Sequence, residues 1–129
     1  MKNILYDRRK VSEVIKIFRG QGGFEKSQKL RSPGDKIFNL DRDNMYLVQL
    51  CGIHRTSQEI DNTHTVVIFN GFIFDMNQRR PNQLTRANLN TSILGGDDWI
   101  FHRVSSAFEF IFTARALKRV KKKVSHCNY

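Results

Sequence analysis

The sequence predicts an α+β fold in which an antiparallel sheet of about four to six strands packs against an N-terminal helix. Apolar residues near the N-terminus recur with helical spacing, and the middle of the chain alternates apolar and polar residues with the period of two typical of strands. An Asn-Gly pair separates two strongly apolar runs, which indicates a hairpin. With 129 residues, of which 40% are hydrophobic, the chain is long enough for one domain with its own core.

The N-terminal helix is predicted over residues 7–19, with Asp7 as its N-cap and the glycines that begin at Gly20 as its end. The apolar positions recur at i, i+3, i+4 and i+7, and they are Val11, Val14, Ile15 and Phe18. This stripe is expected to pack on the sheet, while the cations of the helix stay on its outer face. Those cations are Arg8, Arg9, Lys16 and Arg19.

The first strands are predicted from propensity and turn residues. Residues 24–36 are expected to form a short strand or an irregular segment. Residues 46–51 and 65–69 are rich in apolar and β-branched side chains, which predicts two neighbouring strands. The polar residues 52–62 between them predict a connecting loop that is long for a hairpin.

Asn70 and Gly71 predict a tight turn in the sheet. A two-residue type I′ turn needs positive φ at both central positions, and Asn followed by Gly meets that need better than other pairs. Phe69 should therefore pair with Phe72 across the hairpin.

The same register makes His64 and Asp75 a candidate acid–base pair. It places Val66 opposite Asp75 and His64 opposite Asn77, so all four side chains share one face. Diagonal neighbours are separated by about 7–8 Å, within reach of long side chains. The Asp75 carboxylate or the Asn77 amide can then orient the imidazole of His64 and stabilise its charged form, as in a general base. An incidental polar pair on the hairpin is the alternative.

The second half of the chain alternates helix and strand signals. Residues 84–89 predict a short helix capped by Thr85, and residues 95–98 predict a turn. Residues 99–112 fit both periods, but their aromatic and β-branched content favours a strand. A short basic helix is expected from Thr113 onward.

The net charge of +10 is concentrated at the two ends of the chain. Residues 1–36 carry ten Lys or Arg and four Asp or Glu, residues 37–114 carry six and eight, and residues 115–129 carry six and none. The net charges are therefore +6, −2 and +6. We divide the single predicted domain into a basic N-terminal helix and loop at residues 1–36, a sheet core at residues 37–112 and a basic C-terminal tail at residues 113–129.

The basic ends are expected to bind a polyanion, most often nucleic acid or a ribonucleoprotein assembly. An anionic membrane surface, an acidic protein and two merely solvated faces are the alternatives. Contacts with a phosphate backbone would not read bases, and their affinity would fall with salt. The candidate nucleic-acid-binding residues are Arg8, Arg9, Lys16, Arg19, Arg79, Arg80, Arg115, Lys118, Arg119, Lys121, Lys122 and Lys123.

Other site classes find little support in the sequence. Cys51 and Cys127 form no disulfide framework and lack partners at metal-ligand spacing. Asp97 and Asp98 are adjacent but lack further ligands, so a turn is preferred to a metal site. No cofactor is expected. The sequence contains no apolar signal segment and no apolar span of about 18 residues, so an intracellular protein without a transmembrane segment is expected, its compartment open.

Three segments carry a resemblance to a known family: YLVQL at residues 46–50, HTVVIFNGFIFD at residues 64–75 and LTRANL at residues 84–89. With the Phe-rich strand that follows, they resemble the C-terminal half of papain-like cysteine peptidase domains, in particular the peptidase-like domains of some eukaryotic mobile-element and viral proteins. The resemblance implies a papain-like half-domain with His64 as catalytic histidine and Asp75 as its orienting acid.

The nucleophilic cysteine of the resembled family lies upstream, at a helix N-terminus whose partial positive charge lowers the thiol pKa. No cysteine precedes Cys51 in this chain. Cys51 is expected at a strand end, which favours a buried structural cysteine over an activated one.

Two functional hypotheses follow. The leading one is a noncatalytic module, derived from a papain-like domain, that binds nucleic acid or a ribonucleoprotein through its basic ends. The alternative is a cysteine peptidase or acyltransferase, or a fragment of one, with His64 as base, Asp75 as orienter and Asn77 as alternate orienter. Its nucleophile would be Cys51 or a cysteine from another chain. The choice between RNA and DNA and the oligomeric state are left open.

Overall fold

The computed structural model describes residues 23–31, 34–75, 77–78, 81–93 and 96–125. Within these residues, six strands form one antiparallel sheet, and they are β1 (Phe24–Lys29), β2 (Met45–His54), β3 (Ile60–Phe69), β4 (Phe72–Phe74), β5 (Asn82–Gln83) and β6 (Trp99–Phe112). Their order in the sheet is β1-β6-β2-β3-β4-β5. The helices of the described residues are α1 (Arg86–Ser92), α2 (Ala114–Ser125) and two short 3₁₀ helices, at Gly34–Asn39 and Gly96–Asp98.

The three long strands β6, β2 and β3 form the centre of the sheet. The β2–β6 register shifts between Gln49 and Leu50 and again between Cys51 and Gly52, and the β2–β3 register shifts between Leu50 and Cys51. Bulges of this kind bend a strand and increase its twist. They are concentrated in the half of β2 that pairs with the beginning of β3, where His64 lies opposite Leu50.

The predicted hairpin turn is confirmed. Asn70 and Gly71 have φ values of 54° and 77°, and Phe69 pairs with Phe72. Gly71 is also close to the guanidinium of Arg42, since a Cβ at this position would lie 3.3 Å from the Arg42 Cζ atom. Both the positive φ and this close approach favour glycine.

One face of the sheet carries the first core. It contains alternate residues of β2 and β3, because successive side chains of a strand point to opposite faces. The 3₁₀ helix Gly34–Asn39 and α1 add apolar residues to this core, and Thr85 caps α1 as predicted by accepting the backbone N–H of Asn88 at 3.1 Å. The most buried members of the first core are Ile37, Tyr46, Val48, Leu50, Val66, Ile68, Ile73, Leu89 and Ala107.

The opposite face carries the second core, which α2 covers. Ala116 and Val120 of α2 are each 5% exposed, and they pack against side chains of β2, β3, β4 and β6. Thr113 caps the helix, since its hydroxyl accepts the backbone N–H of Ala116 at 3.2 Å. The sheet residues of the second core are Met45, Val67, Phe69, Phe74, Phe110 and Phe112.

The predicted fold class is therefore wrong. Of the two α-helices in the described residues, the longer is C-terminal. This C-terminal helix packs on the sheet, whereas an N-terminal helix was expected to do so. The helix predicted over residues 7–19 lies outside the described residues. A mostly antiparallel sheet with this C-terminal helix also does not bear out the papain-like half-domain. The C-terminal helix was not expected to cover the sheet because the strongly basic composition of residues 113–125 concealed a short apolar stripe. This stripe is enough to pack one side of α2 on the sheet.

The expected loop at residues 52–62 is also wrong. β2 continues to His54 and β3 begins at Ile60, so only residues 55–59 connect them. Gln58 adopts φ 61°, and the His54 Nδ1 atom accepts the backbone N–H groups of Thr56 and Ser57 at 3.3 and 3.2 Å. These contacts stabilise a tight connection that the polar sequence conceals.

Candidate functional site

His64 and Asp75 form the contact that the hairpin register predicted. His64 lies in β3 and Asp75 directly follows β4, and the His64 Nε2 atom is 2.6 Å from the Asp75 Oδ1 atom. The side chains are 12% and 1% exposed, respectively. Opposite an ionised carboxylate, a neutral ring carries its proton on Nε2, which donates a hydrogen bond to Oδ1. The other ring nitrogen, Nδ1, is then the basic one.

The turn after β4 fixes the carboxylate of Asp75. Its Oδ1 atom also accepts the backbone N–H of Asn77 at 2.9 Å, and its backbone carbonyl accepts the N–H of Gln78 at 3.0 Å. The Gln78 side chain in turn donates to the backbone oxygen of Thr91 in α1 at 3.3 Å. The second carboxylate oxygen, Oδ2, is buried and has no hydrogen-bond partner in the described part of the chain. The fixed carboxylate therefore orients the His64 imidazole through its Nε2 atom.

The structure does not bring Cys51 to this pair. Cys51 is 3% exposed and pairs with Asn62, whereas His64 pairs with Leu50. Across the described residues, the hydrogen bond of the His64 ring is the one with Asp75, and none joins it to the Cys51 thiol. Asn77, the alternate orienter, reaches Asp75 through its backbone N–H, and its side chain is exposed.

The C-terminal cations form a second candidate site, on the solvent side of α2. Ala116 and Val120 face the second core and the partly buried Leu117 packs against it, which leaves the other side of the helix to solvent. We call the exposed cations of this side the α2 basic face, and they are Arg115, Lys118, Arg119 and Lys122. Lys121 is exposed at the margin, where its Nζ atom lies 2.7 Å from the Asp43 Oδ1 atom.

The α2 basic face is largely unneutralised. Arg115, Lys118 and Arg119 form no ion pair with any residue that the structure describes, and the pair between Lys121 and Asp43 joins two side chains that are about half exposed. Such surface pairs contribute about 0–1 kcal/mol. Positive charge therefore projects from a helix that its buried side chains hold in place.

Lys123, another predicted cation, lies within α2. The remaining candidates lie outside the described residues, and they are Arg8, Arg9, Lys16, Arg19, Arg79 and Arg80.

The two candidate sites lie on opposite faces of the sheet. His64 shares its face with Leu50, its partner across β2, and with Val66 in the first core. The helix α2, which carries the basic face, covers the second core, to which Val67 belongs. The acid–base pair and the basic face therefore do not form a single site.

A polar cluster around Tyr46 was not predicted. The Tyr46 hydroxyl donates to the Glu109 carboxylate at 2.7 Å, and burial together with this hydrogen bond raises the pKa of Tyr46 to about 12. Burial alone would raise the pKa of Glu109, but hydrogen bonds from Tyr46, Gln28 and Asn44 outweigh it and hold that pKa below its usual value. No pattern in the sequence indicated this cluster, because Tyr46 and Glu109 are brought together by the β2–β6 register, which pairs residues far apart in the sequence.

No helix in the described ranges is both long and apolar enough to cross a membrane, and no group of three or more metal-ligating side chains is found there. Comparison with known proteins gives no matching family model, no similar curated protein and no similar solved structure.

Proposed function

We propose that this protein is a nucleic-acid-binding module that contacts phosphates through the α2 basic face. The observation that carries the proposal is the arrangement of four exposed cations on one side of a helix that Ala116 and Val120 fix to the sheet. A polyanion that meets this face finds charges already held together, because the helix backbone positions all four.

The dimensions of the α2 basic face suit a phosphate backbone. Seven residues separate Arg115 from Lys122, a rise of about 10 Å along the helix. Duplex DNA carries about one charge per 1.7 Å of its axis, so such a length presents about six phosphates. Four long side chains can therefore each meet a phosphate without a deep groove.

Binding by this face is expected to be indifferent to base sequence. Lys and Arg contacts with phosphates orient a protein on nucleic acid but carry no sequence information. Derivation from a papain-like domain that has lost its nucleophile stays a prediction. The His64–Asp75 contact is compatible with it, whereas the sheet with its C-terminal helix is not the predicted half-domain.

The first test compares two variants from which the same charge is removed. The α2 variant carries Arg115→Gln, Lys118→Gln, Arg119→Gln and Lys122→Gln. The control variant carries Lys26→Gln, Lys29→Gln, Lys36→Gln and Arg103→Gln, four exposed cations outside α2. Affinities for a generic RNA and a generic DNA are measured for each variant and the wild type at one ionic strength. Anionic lipid vesicles serve as the competing polyanion.

The proposal predicts that the α2 variant loses most of its affinity for nucleic acid and that the control variant loses much less. Equal losses would mean that net charge alone attracts the polyanion, which would contradict a role for α2. Wild-type binding to vesicles without binding to nucleic acid would replace the proposal with a membrane-surface function.

An acid–base function of His64 is the second candidate. The 2.6 Å contact with a buried carboxylate favours it, since such a contact orients an imidazole. The nucleophile would then come from a substrate or from another molecule. A measurable hydrolase activity that His64→Ala abolishes would support this candidate.

A further inference from the structure

A cleft opens at the end of the sheet that is remote from α2. It lies where β6 begins, between the C-terminal half of α1, the β2–β3 connection and the 3₁₀ helix Gly96–Asp98. β6 has 14 residues, so its two ends are separated by about 43 Å. We call this site the Trp99 cleft, and its lining residues are Arg55, Asn90, Thr91, Ile93, Asp97, Trp99 and Ile100.

The size of the Trp99 cleft limits its occupant. Its volume is about 320 Å³, at the lower end of the range of about 300–1,000 Å³ found for small-ligand sites. One nucleotide-sized group fits this volume, and a peptide or a duplex does not.

Trp99 supplies a flat apolar surface. It is half-buried at the first position of β6 and pairs with His54 of β2, whose ring packs against the indole edge-to-face with centroids 5.2 Å apart. The pairing and the ring contact hold the indole in place. An immobilised aromatic ring in an open cleft is a platform on which a planar base can stack.

Arg55 brings a cation to the same cleft. Its backbone N–H donates to the Asp98 carbonyl at 2.7 Å, and its Nε atom donates to the Asp97 carbonyl. The terminal guanidinium nitrogens of Arg55 and the Asp97 carboxylate form no ion pair with each other or with any other described residue. The cleft therefore presents a fixed cation and a separate carboxylate.

Asn90 contributes a donor of fixed orientation. Its Oδ1 atom accepts the backbone N–H of Phe101 at 2.8 Å, which sets the orientation of the amide. The Nδ2 atom has no partner in the described part of the chain. It is therefore free to donate to an acceptor on the edge of a bound base.

We propose that the Trp99 cleft binds one ribonucleotide unit of single-stranded RNA, with the base stacked on Trp99 and the phosphate on Arg55. The Asp97 carboxylate repels phosphate, so it accepts hydrogen bonds from the sugar hydroxyls. The 2′-hydroxyl distinguishes RNA from DNA at such a contact. The RNA part rests on the proposed function and names its nucleic acid, because bases inside a duplex cannot reach an indole in a cleft.

Trp99 is the only tryptophan in the chain, so intrinsic fluorescence reports directly on this cleft. The wild-type protein is titrated with AMP, dAMP, inorganic phosphate, a short oligoadenylate and its DNA counterpart. N-acetyltryptophanamide corrects for absorption by adenine. AMP is expected to change the emission saturably, dAMP to bind more weakly and phosphate to produce no change. Tighter binding of the oligoadenylate than of AMP identifies an RNA strand as the preferred source of the nucleotide.

Two variants and one control test the assigned contacts. Arg55→Gln should weaken AMP binding by at least about tenfold, the effect of losing one charge-assisted hydrogen bond. Asp97→Asn keeps the carbonyl that holds Arg55 and should reduce the preference for AMP over dAMP. Arg103→Gln removes an exposed arginine outside the cleft and should leave AMP binding unchanged.

An emission unaffected by AMP, or affected equally by phosphate alone, would overturn the proposal. An unchanged preference for AMP in Asp97→Asn would overturn the role of the carboxylate, even if Arg55→Gln perturbs the local fold. Failure here is distinguishable from failure at α2, because a mononucleotide in the Trp99 cleft cannot reach the helix.

Discussion

His64 and the α2 basic face lie on opposite faces of one sheet, and they differ in their contacts with carboxylates of the protein. The imidazole of His64 lies 2.6 Å from a buried carboxylate that belongs to the same hairpin. Arg115, Lys118 and Arg119 have no ion-pair partner among the residues described, and they project from a helix whose other side is buried. The first arrangement pairs the imidazole with a carboxylate of the protein, whereas the second leaves these three cations for another molecule to contact. This difference is why we assign binding to α2.

The largest expected effect comes from breaking the attachment of α2 itself. Val120 is 5% exposed in the second core, so Val120→Asp would bury an unpaired carboxylate and should lower the free energy of unfolding by at least about 3 kcal/mol. Lys118→Asp, on the exposed side of the same helix, is the matched control and should cost about 0.5 kcal/mol. Denaturant titration of both variants measures the difference. Similar costs for the two variants would show that Val120 does not anchor α2 in the second core.

The Tyr46 cluster should make the free energy of unfolding fall at alkaline pH. Tyr46 has its pKa raised from 10.0 to about 12, so the folded state favours the neutral phenol. Its contribution to stability is complete below pH 10 and is lost as the pH rises toward 12, by about 2–3 kcal/mol in total. Unfolding free energies of the wild type and Tyr46→Phe, measured across this range, should converge as the pH rises. Parallel curves would contradict the assignment.

Removing the carboxylate beside His64 should affect stability and not binding. Asp75→Ala leaves the His64 ring and the Asn77 N–H without their shared acceptor, which should cost about 1–3 kcal/mol. Its affinity for nucleic acid, measured well below the unfolding transition, should equal that of the wild type. A large loss of affinity in the folded variant would mean that the two faces are functionally coupled.

The smallest expected effect concerns the thiol. Cys51 is buried and forms no hydrogen bond with His64, so a thiol-directed electrophile should label it slowly, and His64→Ala should leave the rate unchanged. The experiment uses a Cys127→Ser background so that only Cys51 is followed. Rapid labelling at neutral pH that His64→Ala abolishes would instead identify Cys51 as an activated nucleophile.

Local signals explain what the sequence predicted well. The turn at Asn70 and Gly71 follows from a backbone requirement that those two residues meet by themselves. The His64–Asp75 contact then follows from the register, because the period of two carries the pairing outward from the turn. The cap of α1 at Thr85 is equally local.

Long-range packing explains what the sequence did not predict. β1 pairs with β6 over separations of 79 to 88 residues, and no local pattern encodes that partner. The small apolar stripe of α2 includes Ala116 and Val120. It can be recognised as a packing surface only when the phenylalanines of the second core, which it contacts, are known. The apolar stripe predicted at residues 7–19, outside the described residues, suggested the covering helix, whereas α2 covers the second core. The bulges in β2 likewise depend on both neighbouring strands.

The most direct test of the central claim is the salt dependence of nucleic-acid binding in the wild type and the α2 variant. Each phosphate contact contributes about 0.9 to the slope of log affinity against log salt for duplex DNA and about 0.7 for single strands. Loss of four contacts should therefore reduce the slope by about 3 to 4. The control variant should keep a slope close to that of the wild type. Equal slopes for the wild type and the α2 variant, with RNA and with DNA, would contradict the account.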